Sequence, residues 1–377
     1  MGETGLRTRD GQLWADWADA MALRLAERAA EAERMRALHP ETMAEADAAG
    51  YFALLAPVTA GGQGASFSEF LDLVRRLARG CASSAWTLAF LSLHAWMVCK
   101  FPAEAQARFF ADGKMPLAPA PLAPTGRAER VEGGYRVTGR WEWATGINHS
   151  DWVLVNAIDS ETGQPRYCAM PVEDAEIEDV WFMSGMCSTG SNAVVVQDVM
   201  VPDYMTLPAS QMAAGASPGE ALHPGSTLGY PLRTSLTMVA ATPAVGAAEA
   251  ALAWYVERMK TKQQAFGGGT RQADVQTTHM RLGEAIAEVR AMRLVWDDAC
   301  AMIEREGPRG ASSPVEAQAA LRLAAAQIVR LANRAIDIMA ASAGASASFL
   351  SNPLQRQLRD VQVIRGHVMY DWDRTCV

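Results

Sequence analysis

The helical periodicity of this 377-residue sequence is interrupted once, from about residue 116 to about residue 231, and that interruption limits the folds open to it. Before it, Leu13, Trp17, Met21 and Leu25 recur at four-residue spacing, on one helix face. His39-Pro40 marks a boundary, "PVTAGGQGAS" (57–66) reads as a Gly-rich loop, and helices are expected over 67–79 and 83–99. "PLAPAPLAPTG" (116–126) then excludes helix, and Gly133-Gly134 signals a hairpin. "YRVTGRWEW" alternates Tyr135, Val137, Trp141 and Trp143 with polar or small residues, as a half-buried strand does. "WVLVNAI", "PRYCAMP", "IEDVWFM" and "NAVVVQDVMVP" are further strand candidates. Short strands with turn residues between them predict a small β-barrel or sandwich of about 90 residues. Beyond residue 231, Leu282, Ile286, Val289, Met292 and Trp296 keep the rhythm of a bundle helix. The Ala-rich run 315–343 permits close helix packing.

Composition removes several function classes. A formal net charge of −8, with no basic run, argues against a nucleic-acid partner. Six cysteines without a CxxC pair disfavour disulfides and thiolate metal sites. The opening "MGETGLRTRDGQLW" carries charges where a signal peptide needs an apolar run, and the apolar window 85–99 is too short to span a bilayer at about 20 residues. A cytoplasmic protein without a membrane partner is expected. The six histidines all lie more than fifty residues apart, and HExxH, GxGxxG after a strand, GxxxxGK[ST] and GxSxG are absent.

Three clusters remain. In "SSAWTLAFLSLHAW" (83–96), Trp86 and His94 lie two helical turns apart and could line one pocket; the plainer alternative is a core tryptophan and a core histidine bonded to a carbonyl. In "GRWEWATGINHSDW" (139–152), a Trp-rich strand meets Thr145 at a turn, an arrangement suited to a planar cofactor or simply to a sheet core with a surface turn. In "RQLRDVQVIRGHVMYDWDR" (356–374), a helix over 354–372 would put Asp360, His367 and Asp371 on one stripe. Asp371 would then accept from His367 and raise its basicity, giving a carboxylate–imidazole pair for proton abstraction; the alternative is a surface ion pair.

The helix–β–helix order and four blocks resemble the acyl-CoA dehydrogenase fold, and within it the group D reduced-flavin-dependent monooxygenases. The blocks are "SSAWTLAFLSLHAW", "LAPTGRAERVEGGYRVTGRWEWATGINHSDWVLV", "DVWFMSGMCSTGSNAVVVQDVMVP" and "LRDVQVIRGHVMYD". The resemblance implies an α+β, mainly α fold: an N-terminal helical domain (1–114), a central small β-barrel (115–210) and a C-terminal four-helix bundle (211–377). The dehydrogenases' α-proton abstraction needs a glutamate, yet the two matching positions read Arg365-Gly366-His367 and Gln264; Gln263 stands at a flavin-contacting arginine position.

By the same resemblance, Trp143 and Thr145 form the "W-x-T/S" pair, with the Thr145 hydroxyl at flavin N5. Trp86, Thr189 and Ser191 join them as flavin-binding positions, His94 and Trp86 contact substrate, and His367 with Asp371 is the catalytic base. The implied protein is the oxygenase component of a two-component flavin monooxygenase. A separate reductase supplies reduced FMN or FAD, by direct contact or by diffusion alone, and O2 forms a C4a-hydroperoxyflavin that hydroxylates a small phenol- or indole-like substrate. N- or S-oxidation on the same fold, and acyl-CoA dehydrogenation, are the alternatives. A homotetramer is expected.

Overall fold

The computed structural model describes residues 6–213, 215–264 and 268–372. Five helices come first: α1 (Trp14–Met35), α2 (Pro40–Ala49), α3 (Phe67–Ala78), α4 (Ala82–Val98) and α5 (Ala103–Phe109). Trp17, Met21 and Leu25 are buried along α1, as their spacing requires, and Trp17 stacks on Tyr51 at 5.6 Å. Proline at its first position and the His39 ring, which accepts the Glu41 N–H, start α2. A Ser66/Glu69 capping box starts α3. In α4 all 17 residues are buried. A helix with no polar face must be covered on every side, and α3, the C-terminal helices and a loop of the sheet domain do this.

The central segment forms one seven-stranded sheet: β1 (Gly126–Val131), β2 (Gly134–Trp141), β3 (Trp152–Asp159), β4 (Pro165–Pro171), β5 (Glu176–Glu178), β6 (Ala193–Pro202) and β7 (Thr206–Pro208). The order is β5-β6-β2-β1-β3-β4-β7; β1 and β3 run parallel and the other pairs antiparallel. Among the described residues no ladder joins β5 to β7, so the expected closed barrel is an open sheet. The hairpin turns at Glu132-Gly133, with Gly133 at φ +79°. Trp141 lies across Gly126 and Gly139, where a Cβ would strike its ring, and its Nε1 donates to the Asn156 carbonyl at 2.6 Å. "IEDVWFM" becomes strand only at its start; the remainder is an irregular run that carries Trp181 toward the site.

Two short helices, α6 (Ala209–Ala213) and α7 (Pro218–Leu222), lead into α8 (Leu232–Thr261), α9 (Gln276–Glu306), α10 (Val315–Ala343) and α11 (Pro353–Arg365). In this last group α8 and α10 form the middle, and Ala325, Ala326, Ala332 and Ala335 are buried along α10. By length and hydropathy α8 could cross a membrane, but 78% of its apolar window is buried inside the fold. On α9, Val289, Met292 and Trp296 face the core as expected, whereas Ile286 is 45% exposed and Ala285 takes the inward place. The helix expected over 354–372 ends at Arg365, and residues 368–370 form a separate 3-10 turn.

Candidate active site

Two strings of side chains meet on α4. Trp86, Phe90 and His94 follow each other at four-residue spacing, on one stripe of the helix. Trp86 stacks on Phe90 at 4.7 Å, and Phe90 meets His94 edge-on at 5.6 Å. His367 approaches Trp86 at 5.8 Å from the C-terminal segment, with Tyr370 behind it at 5.9 Å. The Tyr370 hydroxyl is occupied by the Thr237 carbonyl at 2.7 Å. Trp86, His94 and His367, which lie far apart in sequence, thus share one wall.

Both imidazoles are neutral at physiological pH, because burial pushes His367 down to about 4 and His94 to about 3. Their protons can be located. His367 caps the 368–370 turn, and its Nδ1 accepts the Met369 N–H at 3.3 Å. The proton of the neutral ring is therefore on Nε2. His94 Nδ1 is buried with no hydrogen-bond partner. A bare lone pair there costs less than an orphaned N–H, which again leaves the proton on Nε2. Each ring offers an N–H, not a lone pair.

The second string consists of hydroxyls. Thr145 lies two residues after Trp143, which adopts φ +72° two residues beyond the end of β2, and Gly146 lies against Thr87 and Leu91 of α4. Thr189 donates to the Met186 carbonyl at 2.9 Å, and Ser191 donates to Thr189 at 2.8 Å. Thr145 and Ser191 are 3.0 Å apart. Each hydroxyl has one proton, so with Ser191's already given to Thr189, Thr145 must donate to Ser191. The Thr145 oxygen is left as a pure acceptor. Ser188 ties the same loop to α4 through Ser83 at 2.7 Å.

Trp143 stands apart from this string, 56% exposed and edge-on to Trp181 at 5.2 Å. The ending of α11 removes the helical premise for pairing His367 with Asp371. Asp371 instead lines a cleft of about 430 Å³ with Arg330, Arg365 and Trp372. Asp360 also leaves the expected stripe: it is buried, and its Oδ1 accepts the Met186 N–H at 2.6 Å. Sequence reasoning missed Ser188, Asn192 and the Met186 amide. Asn192 Oδ1 accepts the Val180 and Trp181 amides at 3.1 Å each, and "SGMCSTGSN", dense in residues that bond their own backbone, was the available signal.

Comparison with known proteins agrees with this architecture. The family model described as acyl-CoA dehydrogenase, N-terminal domain, matches residues 10–112, and the one described as acyl-CoA dehydrogenase, C-terminal domain, matches residues 238–372. A pigment production hydroxylase of Rhodococcus sp. is 33% identical, the match covering 95% of this chain and 92% of the relative. The oxygenase component of an FADH2-dependent resorcinol hydroxylase of Rhizobium sp. is 32% identical over 91% of this chain and 86% of its own. The crystal structure of 3-HSA hydroxylase from Rhodococcus sp. RHA1 superposes with a TM-score of 0.88 at 29% identity, covering 95% of this chain and 93% of that one.

Proposed function

Because the chain belongs to the family of flavin-dependent monooxygenase oxygenase components built on acyl-CoA dehydrogenase domains, we propose that it takes reduced FMN or FAD and O2 and hydroxylates a small aromatic ring bearing a phenol-like oxygen. The observation that carries this reading is the placement of one hydroxyl acceptor, Thr145, and two imidazole donors, His94 and His367, on strings that share α4. The residues fit a flavin: the Thr145 oxygen is oriented to accept from an N–H, and the Trp143 indole, two residues earlier in the chain, is exposed. Reduced flavin, when bound, supplies the electrons and the activated oxygen atom that no side chain here provides.

Trp143, Thr145 and Trp86 would hold that group, while Ser191 and Thr189 act from behind Thr145 and fix its direction. The Trp86, Phe90 and Tyr370 rings exclude water and wall a flat substrate. With Nδ1 occupied by the Met369 amide, His367 serves as a donor to the substrate oxygen rather than as the expected base. Together with His94 it selects and stabilises the phenolate, which has given up its proton to bulk water before it enters, and the bound anion keeps the ring electron-rich. A separate reductase provides the reduced flavin, and the cytoplasmic protein assembles as a homotetramer. Apolar side chains left open on the C-terminal helices and their connections, among them Leu294 at 63%, Val315 at 77% and Leu350 at 76% exposure, support that assembly.

The test uses the whole protein, an unrelated flavin reductase, O2 and a panel of phenols and indoles. Hydroxylated product should form in proportion to flavin oxidised. If every compound gives only hydrogen peroxide at the free-flavin rate, the reading fails.

A further inference from the structure

Asp360 is a buried acid that neither string contains. It sits on α11 at 3% exposure, and its Oδ1 accepts the Met186 N–H at 2.6 Å. The charged and titratable groups around it come from four places: Arg356 and Arg359 on its own helix, Glu33 on α1, Cys81 at the start of α4 and Cys187 on the sheet loop. The two arginines are engaged by Glu33, Arg359 at 2.5 Å and Arg356 at 3.2 Å, and Arg359 also donates to the Ser184 carbonyl at 2.5 Å. Among the described residues Asp360 forms no salt bridge. Burial raises its carboxyl to about 6, so at neutral pH it is an anion facing one backbone amide.

That amide is at a demanding position. Met186 adopts φ +53°, a left-handed conformation that a side-chain-bearing residue keeps only when its surroundings hold it. Next to it, a Cβ on Gly185 would lie 2.4 Å from the Arg359 carbonyl, so the loop rests directly on the α11 backbone. The Met186 carbonyl is the terminal acceptor of the hydroxyl string, and it takes the Trp181 indole N–H as well, at 3.0 Å.

We propose that Asp360 is a positioning residue: by holding the Met186 amide it aims the Met186 carbonyl, and through Thr189 and Ser191 it keeps the Thr145 oxygen an acceptor. The inference rests on the role proposed above for Thr145. It ties α11, whose end carries His367, to the opposite string of the site, so that the two parts are set by one helix.

Three full-length variants test it, Asp360→Ala, Asp360→Asn and Thr145→Val. The readouts are amide hydrogen exchange over 184–192 in flavin-free protein and the ratio of hydrogen peroxide to product under turnover. Asp360→Ala should speed exchange in that loop and raise the ratio about fivefold, less than the more than tenfold of a lost hydrogen bond to a charged group because the effect reaches Thr145 only through Met186, Thr189 and Ser191. Asp360→Asn keeps an acceptor of roughly half the strength. It should give an intermediate ratio, about twofold raised, and abolish the part of the wild-type ratio that climbs as pH falls through about 6. If Asp360→Ala does not fold, the Asn variant's exchange and flat pH profile decide the matter. Unchanged exchange and an unchanged ratio in the Asp360 variants, with Thr145→Val raised, overturn the proposal alone. An unchanged ratio in Thr145→Val overturns the role of Thr145, and with it the link from Asp360 to the reaction, whatever the exchange shows.

Discussion

The two strings on α4 differ in what they leave unspent. In the hydroxyl string every proton is committed, from Thr145 to Ser191 to Thr189 to the Met186 carbonyl, and the direction of the last bond dictates the first. In the imidazole string the inner nitrogens are settled and the outer N–H groups remain to be matched. One string is therefore complete without a ligand and presents an acceptor; the other presents donors. A ligand set between the strings would meet an acceptor on one side and donors on the other, so its N–H and its oxygen could not exchange places.

The sharpest way to break this comparison is His367→Ala. Losing one donor to a developing anion costs about 10²-fold in product turnover, and flavin binding, measured by fluorescence titration, should remain. If flavin affinity falls as far as turnover, the strings are not separate.

Asp360→Asn ranks next and concerns stability. Folding raises this carboxyl from 3.8 to about 6. The stability it contributes is present below the unfolded value and lost as pH rises through the folded one. The Asn variant should be more stable than wild type at pH values above that range by about 2–3 kcal/mol, and the gap should close on acidification. Urea unfolding at several pH values measures it.

Thr145→Val should raise the peroxide-to-product ratio about tenfold, the upper end for one lost neutral hydrogen bond, while the affinity for a phenol stays unchanged. A fall in phenol affinity would merge the two strings. The smallest effect expected is an absence: the His367 imidazole, held down to about 4, contributes no acid limb near neutrality. A pH–rate profile whose limb near 6 disappears in His367→Gln but persists in Asp360→Asn would reverse the assignment.

Much of the fold was legible because its causes are local. The periodicity of α1, the capping signals of α3 and the Gly-containing hairpin each act within a few residues. The strand β1, "GRAERV", was not foreseen, because it buries little beyond Ala128 and is held by its neighbours β2 and β3. The end of α11 was readable: Arg365 followed by Gly366 is a helix stop, and the attractive stripe of Asp360, His367 and Asp371 overrode it. At the site, the resemblance pointed to Thr145, Thr189 and Ser191, but the direction of their hydrogen bonds depends on a carbonyl in left-handed backbone. The Asp360–Met186 contact spans 174 residues of chain, which no local pattern can encode.

A helix of 17 residues without a wet face cannot persist before its neighbours arrive. The wall of the site and the middle of the core are the same object. Flavin binding should consequently be lost together with the packing of α3, α8 and α11 around α4, its midpoint coinciding with that for exposure of the α4 tryptophans. A chain damaged anywhere around α4 would then populate less of a working enzyme rather than an altered one.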